Sequence, residues 1–467
     1  MKRIIVFVIT VCLFTAICAN LTACDNVLGE TEGSSSTTTI VSTTKGSTGT
    51  SNKNSSVGNN ENNSNNQNNN SNNDNEENNS VNGDDHNQVN ELDLIRYDLQ
   101  KFVYPIWKSD VCFAEASFVR ENADGVVEPL RLLYPIKSIV SVRSADLKTL
   151  YKEGVDYNIT SDGNIEIIRT GSIPVLSYSD YHFPNYSAVA DKLKTKFPAA
   201  DNSGWGYIRA EIDTNNPGMS RWTIAVTYEH EGESVVNVPA DKSAKFSKLI
   251  TKLESGEDIT VVSMGDSITY GWSSSSLVDI APFSPSYNRM VCKFIEKKYN
   301  VDVTHKNIAV SGSASGAGEN GGLTKVNAAC EASPDLVIVA YGMNDGTSVE
   351  PATYINNINT IVSTIEQRCP DACIVVVGTC LPNAEVGYSA GVTLLRHHIT
   401  YAEYLAEAEK NTWGNAAFAD VTTANVELFE RKVYQDVAGS NSNHPNDYMH
   451  RIYAQVVLQT MFGDYVD

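Results

Sequence analysis

Ser267 lies in Ile259-Thr-Val-Val-Ser-Met-Gly-Asp-Ser-Ile-Thr-Tyr-Gly271, where a β-branched apolar run gives way to a Gly-Asp-Ser turn. The run predicts a buried strand, and Gly265 permits a tight reversal that leaves the serine at the strand's carboxyl end, where open α/β sheets place their ligands. A serine hydroxyl becomes a useful nucleophile beside a base, and the oxyanion formed on attack needs preorganised N–H donors. His444, in Asn443-His-Pro-Asn-Asp447, is the histidine set to project from a loop, because Pro445 holds it extended. Gly312, closing Asn307-Ile-Ala-Val-Ser-Gly312, offers a backbone N–H, and Asn344, in Tyr341-Gly-Met-Asn-Asp345, offers an uncharged side-chain amide. Taken singly, each is an ordinary turn residue. With the Ser267 N–H they supply three donors, a nucleophile and a base, which is what acyl transfer requires.

Elements must carry these groups to one edge. Helical spacing of Phe246, Leu249, Ile250 and Leu253 leads into the Ile259 strand. A helix marked by Tyr287, Met290, Val291, Phe294 and Ile295 follows, then a strand over 301–308, a buried strand over 336–340, a helix over 354–365 and a buried strand over 374–377. Helical stretches over 394–410 and 448–462 complete the pattern. Alternation of strands and helices with continuously apolar strands predicts a parallel sheet covered on both faces. Residues 93–240 read differently. Short strands and turns such as Ser161-Asp-Gly-Asn164, with little helical periodicity, predict a β-sandwich. Its aromatic residues, among them Trp107, Tyr157, Tyr178, Tyr181, Trp205 and Trp222, could form a core or line a sugar-binding face.

The Gly-Asp-Ser-Ile block, the Gly312 block, the Gly-Met-Asn-Asp block and the His-Pro-Asn-Asp block, in that order, resemble those of the SGNH, or GDSL-type, hydrolases over Asp258 to Asp467. The resemblance implies a flavodoxin-like three-layer α/β/α domain over 241–467, with Ser267 as nucleophile, His444 as general base, and Gly312 and Asn344 in the oxyanion hole. One departure stands out: the family usually carries Asp three residues before the histidine, where this chain has Asn441. Asp436, Asn441 or a backbone carbonyl could orient His444, and a Ser-His dyad resting on a backbone carbonyl is the expected arrangement. The architecture also resembles two-domain bacterial carbohydrate esterases, implying removal of acetyl or other short acyl groups from a polysaccharide. Lipid-ester hydrolysis, thioester hydrolysis, or a non-catalytic glycan-binding lipoprotein are the alternatives.

The amino end reads as an export signal. Met1-Lys-Arg precedes an apolar run from Ile4 to Ala19, too short to span a bilayer, and Leu21-Thr-Ala-Cys24 resembles a bacterial lipobox. Residues 1–23 are therefore expected to be removed and Cys24 lipidated, anchoring an exported protein to a membrane. Residues 24–92 hold 19 Asn within 51–90 and almost nothing apolar, so no core can form there. As a flexible coil they would span roughly 45 Å, enough for a tether.

The net charge is −21, of which the first 23 residues contribute +2 and residues 24–92 contribute −8, leaving −15 for 93–467. No basic stripe is present, which argues against nucleic acid as a partner. No metal or other cofactor is expected, since Cys369 and Cys373 lack a matching second pair and His397-His398 read as part of a solvent-facing helix. Cys369, Cys373 and Cys380 lie close enough in sequence for a local disulfide, which export would permit.

Overall fold

Five parallel strands organise the carboxyl-terminal half of the computed structural model, which describes residues 98–190, 196–389 and 392–466. The signal sequence, Cys24 and the Asn-rich segment lie outside the described residues. Strands are numbered along the chain: β1 Val111–Phe118, β2 Ile136–Ser144, β3 Leu150–Tyr151, β4 Tyr157–Ile159, β5 Ile165–Ile167, β6 His182–Phe183, β7 Lys196–Pro198 and β8 Gly206–Ile208. They continue with β9 Thr223–His230, β10 Ile259–Gly265, β11 Val303–Asn307, β12 Leu336–Ala340, β13 Cys373–Val377, β14 Gly387–Ser389, β15 Val392–Thr393 and β16 Ala416–Ala419.

The parallel sheet runs β11-β10-β12-β13-β16, so the chain starts in the second position, steps to the edge and returns past its start. That is the flavodoxin-like order, and its topological switch point lies at the carboxyl end of β10. Pairing of Ser263 with Asn307 and of Gly265 with Ala340 brings the ends of β10, β11 and β12 to one edge. The two faces are sorted by alternation. Val262, Met264, Val337, Val339, Ile374 and Val376 pack with residues of the helices Gly322–Glu331, Pro351–Arg368 and His398–Asn411. Val261, Leu336, Ile338, Val375 and Val377 join the other core, with residues of the helices Tyr287–Tyr299 and Asp447–Phe462.

The amino-terminal described region is antiparallel and β-rich. It comprises the sheet β1-β9-β2-β3, the hairpin β4-β5 and the sheet β6-β8-β7. Residues 98–238 and 241–466 share one hydrophobic core, in which Cys112, Ala116, Leu132, Tyr228 and Val236 sit in the same cluster as Ile452, Val456 and Met461. The helix Asp447–Phe462 is buried almost throughout, as expected of a helix that is apolar on most of its circumference.

A buried ion cluster ties the two halves together. Lys432 Nζ donates to Glu115 Oε1 at 2.6 Å and to Ser117 Oγ at 2.9 Å on β1, and lies 3.5 Å from Asp436 Oδ2. Asp436 accepts from the Phe118 N–H at 2.7 Å and the Val433 N–H at 3.1 Å.

Several expectations are corrected. All six cysteines from Cys112 to Cys380 are free, so the local disulfide among Cys369, Cys373 and Cys380 is absent. The physical reason is that Cys373 opens β13, Cys369 follows the preceding helix with its thiol directed to the Cys330 carbonyl, and Cys380 is buried beyond the strand's far end. His398 is fully buried, bonded through Nε2 to the Met343 carbonyl at 3.1 Å, and not solvent-facing. The helix Gly322–Glu331 and the strand β16 carry no strong sequence signal. One opens on Gly-Leu-Thr and the other is Ala-Ala-Phe-Ala, a poor β-former placed by burial.

Candidate active site

Gly265 ends β10 where only a glycine fits, since a Cβ there would come within 2.4 Å of the Ala340 carbonyl oxygen. Asp266 then caps a one-turn helix, its Oδ1 accepting from the Ile268 N–H at 2.9 Å, and Ser267 takes the first helical position. A first-turn N–H has no partner within its own helix, so the Ser267 N–H faces outward as a donor. Burial, reinforced by the nearby Asp345, raises the Asp266 carboxyl to about 7.

His444 is fixed by a closed loop. The Gly439 N–H donates to the His444 carbonyl at 2.8 Å, the Asn446 N–H to Val437 at 3.0 Å, and Ala438 bridges Pro445. Asn446 also caps the long helix by accepting from the Met449 N–H at 3.0 Å. The imidazole Nε2 lies 3.0 Å from Ser267 Oγ, although 177 residues separate the two in sequence. Trp272 stacks beside the ring, with centroids 5.9 Å apart and planes within 14°.

The partner on the other ring nitrogen was not among the sequence candidates. His444 Nδ1 meets Glu211 Oε1 at 2.9 Å, and Glu211 comes from the segment between β8 and β9. The expected backbone-carbonyl dyad is therefore corrected to a three-residue chain. The other candidates are used elsewhere: Asp436 in the ion cluster, and Asn441 between Gln435 Nε2 at 3.0 Å and the Ile208 carbonyl at 2.8 Å. By holding Ile208, Asn441 fixes the strand that leads to Glu211. The carboxylate itself is gripped by Arg209 Nη2 at 2.9 Å on Oε1 and by the Ser273 hydroxyl at 2.7 Å on Oε2. Burial opposes its ionisation, but His444, Arg209 and Ser273 together outweigh it and hold the carboxyl at about 2. No motif marks Glu211 in the sequence, and it lies past the end of β8, where no alternation singles it out.

The donor side forms around a turn. The Val310 N–H bonds the Gly265 carbonyl at 3.1 Å, which hangs the loop after β11 on the end of β10. Gly312 has φ +81 in that loop and is exposed, and its N–H donates to no protein acceptor among the described residues. Asn344 Nδ2 donates one hydrogen to the Ser313 carbonyl at 2.8 Å, leaving the other free. The turn carrying Asn344 is anchored from behind by His398 on the Met343 carbonyl and by Asp345 on the Ser315 N–H at 2.9 Å. Bonds thus join Ser267 to His444, and Asn344 to the Gly312 turn. With Nδ1–H given to Glu211, His444 Nε2 is an acceptor for the Ser267 proton, and the imidazolium formed lies against a carboxylate. Such a set can attack an ester carbonyl. Among the described residues no group of His, Cys, Asp and Glu is placed to hold a metal ion.

Residues 263–452 match the family model of the GDSL-like Lipase/Acylhydrolase family. No curated protein matches the chain. Among solved structures, a two-domain esterase active on acetylated mannans, crystallised with mannopentaose, has 18% identity and a TM-score of 0.36, covering 48% of this chain and 54% of that one. An acetyl xylan esterase variant from Geobacillus stearothermophilus has 18% identity and a TM-score of 0.33 over 45% of this chain and 97% of that one. A psychrotrophic esterase from Pseudoalteromonas sp., inhibited by monoethylphosphonate, has 16% identity and a TM-score of 0.32, covering 44% and 96%. The chain spans little more than half the length of the two-domain esterase it matches.

Proposed function

Because residues 263–452 match the family model of the GDSL-like Lipase/Acylhydrolase family, we propose that the protein is a serine esterase that removes short acyl groups, acetyl foremost, from a neutral polysaccharide. The observation that carries the reading is the chain Ser267 Oγ, His444, Glu211, with contacts of 3.0 and 2.9 Å. In the reaction, Ser267 attacks the acyl carbonyl while His444 takes its proton, and Glu211 stabilises the imidazolium. The Ser267 and Gly312 N–H groups and the Asn344 amide receive the oxyanion. His444 then protonates the departing sugar hydroxyl, and water hydrolyses the acyl-enzyme by the same steps.

One consideration favours sugar-borne short esters over lipid esters. Residues 93–467 carry −15, which suits a neutral polymer better than an anionic lipid surface. A cavity of about 70 Å³ lined in part by Ala116, Ile212, Ile224 and Pro282 lies beside Ser273, and neither Ser267 nor His444 lines it. In this reading the enzyme is exported, held to a membrane through a lipid on Cys24, and given reach by residues 25–92.

The test is a hydrolysis panel of acetylated xylan, other acetylated glycans and p-nitrophenyl esters of increasing chain length, with Ser267→Ala as control. Fastest turnover on acetyl esters, lost in the control, is the expected result. A rate that climbs with chain length to long acyl esters would transfer the protein to the lipid-ester reading, and turnover retained by Ser267→Ala would end the serine mechanism.

A further inference from the structure

Of the aromatic residues singled out in the sequence, Tyr157 and Tyr181 are buried, and Trp107 and Trp222 pack against the cores. Trp205 is different. It stands 38% exposed just before β8, the strand that leads to Glu211. Trp205 and Tyr207 flank Gly206 on one side of β8, and Arg209 beyond it returns to that side by its contact with Phe197. Gly206, on the opposite face, is pressed against Phe183 so closely that a Cβ would come within 2.1 Å of its ring. On the 205 face, His182 pairs with Tyr207 across β6 and β8, with rings 4.9 Å apart, and also touches Trp205 at 6.4 Å. Phe197 pairs with Tyr207 from β7, and the Arg209 guanidinium lies 5.0 Å from the Phe197 ring.

We propose that Trp205 and Tyr207 form a sugar-stacking subsite that leads the polysaccharide chain to Ser267, an inference that rests on the esterase reading and names how it recognises its polymer. Pyranose rings have apolar C–H faces and hydroxyl rims; the exposed Trp205 ring matches the face, and Tyr207, packed in part against the core around Tyr181 and Met219, backs it with a polar tip. Neither the Trp205 indole N–H nor the Tyr207 hydroxyl has a protein partner among the described residues. The rings are held by His182, which burial keeps neutral with its pKa lowered to about 4. From Tyr207 to Glu211 the backbone can extend at most about 14 Å, so a chain stacked on the aromatic face lies within a few sugar residues of the nucleophile. The chain continues from β8 directly to Glu211, so sugar recognition and the acid of the proposed catalytic chain lie on one short segment.

The test is affinity electrophoresis of the full chain carrying Ser267→Ala, in gels containing xylan, glucomannan or mixed-linkage β-glucan, each deacetylated. At least one polymer should retard the protein, with the apparent affinity lowered about tenfold by Trp205→Ala and largely restored in Trp205→Tyr. Circular dichroism establishes that each variant is folded. No retardation in any gel, or retardation indifferent to Trp205→Ala, overturns the subsite. Because binding is read in a hydrolytically dead background, that outcome is distinct from failure of the esterase reading, which would appear as no turnover by wild type on any ester.

Discussion

Glu211 Oε1 lies 2.9 Å from His444 Nδ1 across 233 residues of sequence, so the β-rich region supplies the third member of a chain whose other two members belong to the α/β half. The two halves therefore build the candidate site together, and the ion cluster of Lys432, Glu115 and Asp436 sits where it can hold them in register.

Neutralising Glu211 is expected to be costly. Glu211→Gln retains the shape and the contact to Ser273 but removes the charge and favours the wrong histidine tautomer, so kcat should fall by roughly 10³ to 10⁴. Asp436→Asn should act instead on the denaturation midpoint. Steady-state kinetics and urea unfolding of both variants separate the roles, and the reverse pattern would return the acid to Asp436.

Asn344→Ala removes one donor that acts mainly as charge develops on the carbonyl oxygen. Turnover should drop roughly 10² to 10³ with little change in KM. A rise in KM with kcat preserved would make Asn344 a ground-state binder.

Two carboxyls near the site should give pH effects of opposite sign. Glu211 is held at about 2, below its ordinary value, so its stabilisation is present above about 4.5 and lost as pH falls toward 2. Asp266 is raised to about 7, so the folded state favours its protonated form and stability is lost as pH rises from about 4 through 7. Measured by urea midpoints, the gap between wild type and Glu211→Gln should narrow on acidification over the first window. The balance between wild type and Asp266→Asn should shift toward the variant as pH rises over the second. A flat difference in either window would contradict the corresponding assignment.

Lys432→Met leaves Glu115 and Asp436 as buried carboxylates without their cation. Unfolding should become easier by about 3 to 5 kcal/mol. A neutral result in denaturant titration would mean the cluster contributes no net stability.

Cys24→Ser should move the protein from the membrane fraction to the medium, because a single lipidated cysteine is the anchor proposed. Unchanged fractionation on immunoblots would defeat that proposal.

What the sequence determined by itself was whatever local pattern dictates. The β-branched run ending at Gly265, the apolar strands β12 and β13 and the periodic helices specified a parallel sheet covered on both faces, because alternation and helical spacing are written in consecutive residues, whereas the flavodoxin-like form was what the family resemblance implied. The blocks around Ser267, Gly312, Asn344 and His444 were legible as short turns at strand ends, and their order in the chain carried the resemblance from which their roles were expected. The tertiary structure alone decided the partner of His444. Arg209-Ala-Glu211 is unremarkable as sequence, and an ion pair formed across 233 residues depends on how β8 is seated against Asn441, on Ser273 beneath the carboxylate and on the core that joins the two halves. Likewise Asp436 looked available beside the catalytic loop, but burial against Lys432 and the Phe118 N–H commits its oxygens elsewhere. Which of several carboxylates reaches a histidine is settled by packing over long sequence separations, and no local pattern encodes that.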